Sequence, residues 1–203
     1  MAKTLHYFNF NGLAESIRYM FYYKNIEFKD VRYPNGVWPR EDLKDLLPYG
    51  QLPIYQEGDR SLNQSIAIAR YVGTITNLIP SDPWEQAVLD AVVLNIYDLW
   101  NKAANYVKES DPIRKQEKKN AILNESIDYY FSRFEKELEK NNGTFGEKLS
   151  WADFVFVGII ESLKIVLEEQ IETKYPNSVA LIKKINNLPG VKEYVATRPE
   201  YFL

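Results

Sequence analysis

Tyr7 is the first residue of this chain whose type and position could do chemistry. It comes near the end of the strand-like stretch Thr4–Phe8, and a turn with a glycine follows before the next helical pattern. A tyrosine in this position either fills the core or presents its hydroxyl at the edge of the turn. Taken alone, the residues leave both interpretations open.

A second candidate is the proline in Gly50–Tyr55, "GQLPIY". Leu52-Pro53 stands where a strand begins, and proline there removes a ladder hydrogen bond. A cis Leu52-Pro53 bond would explain the proline and would turn the Leu52 backbone N–H and C=O outward, as an extended edge for a peptide. An ordinary trans proline at the strand start is the alternative.

A third candidate lies where a strand passes into a helix, at Gln64 and Ser65. A helix N-terminus offers unpaired N–H groups and the positive end of the helix dipole, which suit a carboxylate. The Ser65 hydroxyl and the Gln64 amide would be further donors. The alternative is simple capping, with Ser65 as the N-cap of a helix over Ile66–Thr76.

Composition narrows the chemistry that these residues could support. The chain has no cysteine and one histidine, His6, which excludes a disulfide scaffold, a thiolate metal site and a thiol nucleophile carried by the protein. No G-x-S-x-G motif accompanies His6, which argues against a serine hydrolase. Chemistry must therefore come from Tyr, Lys, Arg, carboxylates or a borrowed small molecule.

The overall balance of residues is that of an ordinary globular protein. Its 203 residues suffice for one large or two small domains, with 45% apolar and 26% charged residues. The net charge is −3 and the basic residues are scattered, so neither nucleic acid nor an anionic membrane is expected as a partner. We expect no signal peptide and no transmembrane helix.

The first third of the chain predicts a small sheet with helices against it. The order is β-α-β, then β-β-α, with a helix over Ala14–Lys24, a strand over Glu27–Arg32 and a hairpin around the turn Glu57–Asp59. A short irregular helix is expected over Glu41–Leu47. This order places the three candidate stretches in one unit, residues 1–77.

The rest of the chain predicts an all-helical unit. Two prolines make 78–83 the best linker, and an apolar face repeats at three- and four-residue spacing up to Val107. A second long helix is predicted over Ile113–Lys140. A third begins at the capping box Ser150-x-x-Asp153, and shorter helices follow Pro176 and Pro189. We therefore expect a helical domain over 84–203.

Five motifs in this order and spacing resemble the cytosolic glutathione transferases. They are "YF" after the first strand, "WP" after the second, "PYGQLPIYQ", "NQSIAIARY" and, in the helical part, "LSWADF". The likeness covers essentially the whole chain and is greatest for the sigma class, which includes insect enzymes, the haematopoietic prostaglandin D synthase type and lens S-crystallins. It implies a thioredoxin-like N-terminal domain and a C-terminal helical bundle, α/β plus all-α.

The resemblance implies that Tyr7 is catalytic and donates a hydrogen bond to the sulfur of bound glutathione. A free thiol has a pKa of about 8.5, and lowering it by about two units requires roughly 3 kcal/mol. A hydrogen bond to an anion supplies about 1.5–3 kcal/mol, and a helix N-terminus up to about 1 kcal/mol. The nucleophile then arrives with the cosubstrate, which explains the absence of cysteine.

The same resemblance implies the other glutathione contacts. Trp38 and Lys44 would hold the glycine end, the Leu52 backbone beside a cis Pro53 would pair with the cysteinyl part, and Gln64 with Ser65 would bind the γ-glutamyl end. Asp98 would reach the γ-glutamyl amine of the neighbouring subunit in a homodimer. The full set of expected glutathione contacts is Phe8, Trp38, Lys44, Gln51, Leu52, Pro53, Gln64, Ser65 and Asp98.

Several residues depart from the family pattern. Gln51 replaces a basic residue, so one charge near the glycine end is missing. Of three acidic positions that hold a metal in the vertebrate prostaglandin enzyme, two align with Leu94 and Tyr97, and we predict no metal site. Asn105 stands where that enzyme has a large tryptophan, which argues against its substrate specificity.

A pocket for hydrophobic electrophiles is expected between the two domains. Its candidate lining residues also fit apolar helical patterns and could simply belong to the core. They are Leu13, Trp100, Asn105, Val155, Ile159 and Leu203.

The favoured function is conjugation of glutathione to hydrophobic electrophiles, in detoxification, with peroxidase activity on lipid hydroperoxides as a further expectation. The alternatives are a glutathione-dependent prostaglandin-H D-isomerase and a non-catalytic S-crystallin-like protein. The short connection "VKESDPIRK" and the retained Tyr7, Trp38, Gln64 and Ser65 favour an enzyme over a crystallin. The resemblance also implies a homodimer and a cytoplasmic location.

Overall fold

A computed structural model describes residues 1–34, 47 and 49–199 of the chain. The expected loop after the second strand, the short helix over 41–47 apart from Leu47, and the C-terminal residues 200–203 lie outside this part. Within it, no helix is both long enough and apolar enough to cross a bilayer.

Four strands form one small mixed sheet. They are β1 (Lys3–Phe8), β2 (Lys29–Tyr33), β3 (Ile54–Glu57) and β4 (Arg60–Asn63), arranged in the order β2-β1-β3-β4. Strand β1 runs parallel to β2 and antiparallel to β3, while β3 and β4 form the predicted hairpin. The predicted β-α-β-β-α order of the N-terminal part is confirmed.

Two helices in the described residues of the N-terminal part pack against this sheet. Helix α1 (Glu15–Tyr23) follows a 3₁₀ turn at Gly12–Ala14, and α2 (Ser65–Ile75) follows β4. Both bury an apolar face, and the sheet supplies Leu5 and Tyr55 to the same core. Because the helices and the sheet share this core, burial of their apolar faces fixes the strands relative to the helices.

Six further helices make up the C-terminal part. They are α3 (Pro83–Val107), α4 (Pro112–Ala121), α5 (Ile127–Lys140), α6 (Trp151–Leu167), α7 (Pro176–Asn186) and α8 (Val191–Thr197). The most completely buried of them is α6, whose N-terminus carries the predicted capping box: the Asp153 carboxylate accepts from Ser150 N–H at 2.7 Å. The all-helical prediction for this part is confirmed.

The predicted helical stretch over Ile113–Lys140 is confirmed, but it is not α-helical throughout. A π-helical turn at Ile122–Ser126 separates α4 from α5. Ile122 and Ile127 are five residues apart and both are buried, which the ordinary helical spacing of three and four does not allow. The wider turn rotates α5 so that its apolar face still meets the core.

Close packing joins the two parts of the molecule. A Cβ at Gly158 of α6 would lie 2.8 Å from Ser16 N of α1, so the two helix backbones approach as only glycine allows. At the far end of the chain, the Arg198 guanidinium pairs with Glu15 at 2.7 Å and with Glu161 at 3.1 Å. The domain division at residues 78–83 remains a prediction.

Candidate functional site

Strand register brings the three candidate stretches to one edge of the sheet. His6 pairs with Ile54 across β1 and β3, and Ile54 pairs with Asn63 across β3 and β4. The residues next to these pairs, namely Tyr7, Pro53 and Gln64, therefore lie side by side where β1 ends, β3 begins and β4 ends. The candidate site is this edge.

The Tyr7 hydroxyl is held by a backbone contact. Only 5% of Tyr7 is exposed, and its hydroxyl oxygen accepts a hydrogen bond from Leu13 N–H at 3.1 Å. The ring of Phe8 packs edge-on against that of Tyr7, with 5.3 Å between the centroids. Because the oxygen accepts from the backbone, the hydroxyl proton is left to donate elsewhere.

Gly12 makes this arrangement possible. Its φ is +45°, a region that favours glycine, and a Cβ there would lie 2.5 Å from the Tyr7 hydroxyl oxygen. Any side chain at this position would therefore push the hydroxyl away. The sequence indicates a glycine turn after β1, and that turn is the signal that could have pointed to this role. The need for Gly12 to leave room for the Tyr7 hydroxyl was nevertheless missed.

Burial keeps the Tyr7 hydroxyl protonated. It raises the pKa of Tyr7 above its ordinary value, while the Leu13 N–H and the charge of Arg18 act in the opposite direction. At neutral pH the residue is a neutral phenol and a hydrogen-bond donor. A tyrosine in this state can stabilise an anion but does not act as a general base.

Arg18 is a further residue that sequence reasoning missed. Its guanidinium carbon lies 5.9 Å from the centroid of the Tyr7 ring, and its side chain is fully buried. It pairs with Glu15 and with Asp30, each at 3.0 Å, so its charge is compensated. These pairs tie α1 to β2 behind Tyr7.

The Leu52-Pro53 peptide bond is cis, as the family resemblance implied and as one of the two alternatives left open by the residues themselves. Gln51 is exposed, Leu52 is half-buried and Pro53 is buried immediately before β3. The backbone of Leu52 thus lies next to the Tyr7 edge, while the Gln51 side chain extends into solvent.

The other end of the site is the N-terminus of α2. Gln64 is exposed and has a φ of +70°, whereas Ser65 is only 6% exposed. The first helical hydrogen bond runs from Ile68 N–H to Gln64 O at 2.9 Å. The N–H groups of residues 65–67 precede it and point out of the helix end, where they can bind an anion.

The prediction that Ser65 is the N-cap of this helix is wrong. Gln64 occupies the cap position, Ser65 is the first helical residue, and no side chain caps the helix. Gln64 takes the cap position with a positive φ, so Ser65 lies one position further into the helix than the predicted N-cap position. Since the Gln64 side chain makes no capping hydrogen bond, the first N–H groups of α2 are candidates for binding a ligand.

Some predicted contacts cannot be placed in this site. Trp38, Lys44 and Leu203 lie outside the described residues. Asp98 is exposed on α3, and its charge acts on the neighbouring Tyr130. The described part of this chain does not bring Asp98 to the edge formed by Tyr7, Pro53 and Gln64.

The candidates for a hydrophobic pocket divide into two groups. Leu13 and Trp100 are partly buried and remain accessible, and Asn105 is exposed. Val155 and Ile159 are 0% and 1% exposed within α6, so the prediction that they line a pocket is not supported, and the core alternative holds for both. The reason is that α6 is enclosed by neighbours on nearly every side.

Among the residues that the structure describes, no group of three or more His, Cys, Asp or Glu is placed to hold a metal ion.

Comparison with known proteins identifies the family. A model of the glutathione S-transferase N-terminal domain matches residues 3–74, and a model of the C-terminal domain matches residues 97–198. The chain belongs to the glutathione S-transferase family. Its fold is therefore that of a transferase, with the small sheet domain and the helical domain that the resemblance implied.

Relatives of two kinds are similar over nearly the whole chain. A glutathione S-transferase of Anopheles gambiae is 32% identical, with 96% of each chain covered. Human hematopoietic prostaglandin D synthase is also 32% identical, with 97% of this chain and 96% of the relative covered. The structure of prostaglandin synthase D of Nilaparvata lugens superposes with a TM-score of 0.92 at 34% identity, covering 99% of this chain and all of that one.

Proposed function

We propose that this glutathione S-transferase binds glutathione along the edge from Tyr7 to Ser65 and conjugates it to hydrophobic electrophiles. The observation that carries the proposal is the Tyr7 hydroxyl, which is buried, neutral and already accepts from Leu13 N–H. Its proton is directed away from that contact and is the donor for a sulfur anion.

In this reaction the glutathione thiol gives up its proton to solvent water and the thiolate remains. The sulfur electron pair forms a bond to the electrophilic carbon, whose leaving group departs with the electrons of the broken bond. Tyr7 stabilises the thiolate before attack and remains neutral throughout. In the peroxidase reaction expected from the resemblance, the same thiolate would attack the terminal oxygen of a lipid hydroperoxide. The O–O bond breaks, the lipid alkoxide leaves and takes up a proton as the alcohol, and a second glutathione reduces the resulting sulfenic acid to the disulfide and water.

The remaining roles follow the geometry of the edge. The N-terminus of α2, with Gln64 and Ser65, would bind the γ-glutamyl carboxylate through N–H and hydroxyl donors. The Leu52 backbone would pair with the cysteinyl part, and Trp38 and Lys44 would hold the glycine end. We propose a homodimer in which the exposed Asp98 reaches the partner's site. The cytoplasmic location stays a prediction.

A titration of the bound thiol tests the central claim. Thiolate absorbance of bound glutathione is followed against pH in the wild type, in Tyr7→Phe and in the control Tyr55→Phe, which removes another buried hydroxyl from the neighbouring strand. The wild type and the control should ionise the thiol well below about 8.5, and Tyr7→Phe should lose most of that shift. A wild type that binds glutathione without any shift would mean that Tyr7 is not the activating residue.

A prostaglandin isomerase is the second candidate, because relatives of that name are as similar as the insect transferase. The Asn105 position, where that enzyme has a large tryptophan, argues against it. Parallel assays with an aromatic electrophile and with a prostaglandin endoperoxide would separate the two. Turnover of the endoperoxide far above that of the electrophile would favour the isomerase.

A further inference from the structure

Arg18 is a buried charge behind Tyr7 to which the proposed function gives no part. Its side chain is 0% exposed, and its guanidinium carbon lies 5.9 Å from the centroid of the Tyr7 ring. Glu15 and Asp30 compensate its charge. A buried ion pair adds little stability compared with apolar side chains of similar volume, so the pairs alone do not account for an arginine here.

The Arg18 guanidinium also holds the turn that follows β1. Its Nη1 donates to Phe10 O at 2.9 Å and to Asn11 O at 3.4 Å. These two carbonyls come directly before Gly12 and Leu13, the residues that contact the Tyr7 hydroxyl. Asn11 is fully buried, so solvent cannot replace this donor at its carbonyl.

The guanidinium itself is fixed from two sides. Its Nε donates to Asp30 Oδ2 of β2, and its Nη1 donates to Glu15 Oε2, each at 3.0 Å. Glu15 also accepts from Arg198 at 2.7 Å and from the Tyr194 hydroxyl at 3.1 Å. Because the guanidinium is planar, these contacts leave its N–H groups one orientation. The turn is thereby anchored to β2 and, through Glu15, to α8.

This turn determines where the Tyr7 hydroxyl points. Leu13 N–H, two residues beyond Asn11, donates to the Tyr7 oxygen at 3.1 Å, and Gly12 lies against the same oxygen. A shift of the turn would move both contacts at once. Since hydrogen bonds weaken steeply as their alignment is lost, a turned hydroxyl would be a poorer donor to a sulfur anion.

We propose that Arg18 is a positioning residue for thiol activation: its guanidinium holds the Phe10 and Asn11 carbonyls, and the turn so fixed directs the Tyr7 hydroxyl to the glutathione sulfur. The effect comes from the geometry of the guanidinium and not from its charge, which the two carboxylates compensate. The inference rests on the proposed function, because it concerns the same hydroxyl and the same thiolate.

Replacement of Arg18 by lysine tests the inference. Lysine keeps the positive charge beside Glu15 and Asp30, but its single nitrogen cannot make the contacts of a planar fork. Thiolate titration should show that the thiol pKa of bound glutathione rises by about one pH unit, against roughly two in Tyr7→Phe. Calorimetry with S-methylglutathione, which has no thiol to ionise, should give the wild-type Kd.

A double variant shows whether Arg18 acts through Tyr7. In the Tyr7→Phe background, Arg18→Lys should leave the thiol pKa where Tyr7→Phe alone puts it. An equal rise in both backgrounds would mean that the effect does not pass through the Tyr7 hydroxyl, and it would overturn the inference.

Arg198→Lys is the matched control. Arg198, at the C-terminal end of α8, pairs with the same Glu15 and with Glu161. Its replacement also removes a guanidinium fork from the buried cluster, so the free energy of unfolding should fall. The thiol pKa should nevertheless stay at the wild-type value. A rise as large as that in Arg18→Lys would mean general loosening of the cluster and would count against a specific role of Arg18.

Asp30→Asn decides the question if Arg18→Lys does not fold. It keeps Arg18 but weakens the contact that orients Nε. Loss of a negative charge would by itself lower the thiol pKa, whereas a misdirected Tyr7 hydroxyl raises it, and we expect a small rise. A wild-type thiol pKa in every folded Arg18 or Asp30 variant would overturn the inference. A wild type that binds glutathione without lowering its thiol pKa would instead overturn the proposed function.

Discussion

The two ends of the candidate site are built differently. At the Tyr7 end, the hydroxyl oxygen accepts a hydrogen bond from Leu13 N–H and lies against Gly12. The guanidinium of Arg18 lies beside the Tyr7 ring. At the Ser65 end, the side chain of the cap residue Gln64 makes no hydrogen bond to α2. One end is fixed by the protein itself, and the other is completed by its ligand. We therefore expect the first to control rate and the second to control affinity.

Replacing Gly12 by alanine should have the largest effect. The new Cβ would lie 2.5 Å from the Tyr7 hydroxyl oxygen, so the hydroxyl must move and its hydrogen bond to sulfur is lost. We expect kcat for conjugation to fall roughly 10- to 100-fold, with a loss of about 1–2 kcal/mol of unfolding free energy. Steady-state kinetics and urea denaturation measure the two quantities.

Gly143→Ala is the matched control for Gly12→Ala. Gly143 also has a positive φ, of +87°, but a Cβ there would have no atom within 4 Å. The unfolding free energy of Gly143→Ala should fall by about as much as that of Gly12→Ala, while its kcat stays at the wild-type value. Equal kcat in both variants would show that the contact with Tyr7 does not matter for the reaction.

Ser65→Ala should have an intermediate effect, on binding alone. Loss of a hydroxyl that donates to a carboxylate should raise the Kd of glutathione about 10-fold. The thiol pKa of bound glutathione should not change, because Tyr7 is untouched. Calorimetry and thiolate titration test this, with Ser61→Ala on the exposed face of β4 as the control. A shifted thiol pKa with an unchanged Kd would contradict the division between the two ends.

The smallest effect concerns the pH dependence of the strand that carries Tyr7. His6 Nδ1 lies 2.8 Å from the Tyr33 hydroxyl and Nε2 lies 2.9 Å from Gln56 Oε1, so the imidazole bridges three strands. Burial lowers the pKa of His6 below 6.5, while the contact with Gln56 opposes this and the charge of Lys29 adds to it. The unfolded chain therefore binds the proton more tightly than the folded one.

It follows that the contribution of His6 to stability is complete above pH 6.5. It is lost as the pH falls from 6.5 through the lowered pKa of the folded state. Urea unfolding above and below pH 6.5, in the wild type and in His6→Gln, measures this. If the free energy of unfolding depended on pH equally in the wild type and in His6→Gln, His6 would be excluded as the source of that dependence.

Much of the N-terminal part is predictable because its signals are local. The alternation of Thr4–Phe8, the turn at Glu57–Asp59 and the Leu52-Pro53 pair each depend on a few adjacent residues. The capping box of Ser150 and Asp153 is local in the same sense. These features indicate the fold before any contact between distant residues is known.

The features that escaped prediction depend on distant partners. Arg18 reads as a solvated residue of an amphipathic helix, yet it is buried because Glu15 and Asp30 compensate its charge. The π-helical turn at Ile122–Ser126 is likewise set by the core that α5 must meet. Local spacing contains none of this information.

The contact between Gly158 and Ser16 has a consequence for the order of folding during synthesis. The N-terminal strands and α1 leave the ribosome first, but the helix that covers α1 contains Gly158 and follows much later. Arg198, which pairs with Glu15 of α1, lies further along the chain than α6 and emerges after it. The face of α1 that meets α6 must therefore stay uncovered until α6 has been made, and the nascent protein depends on that delay being harmless.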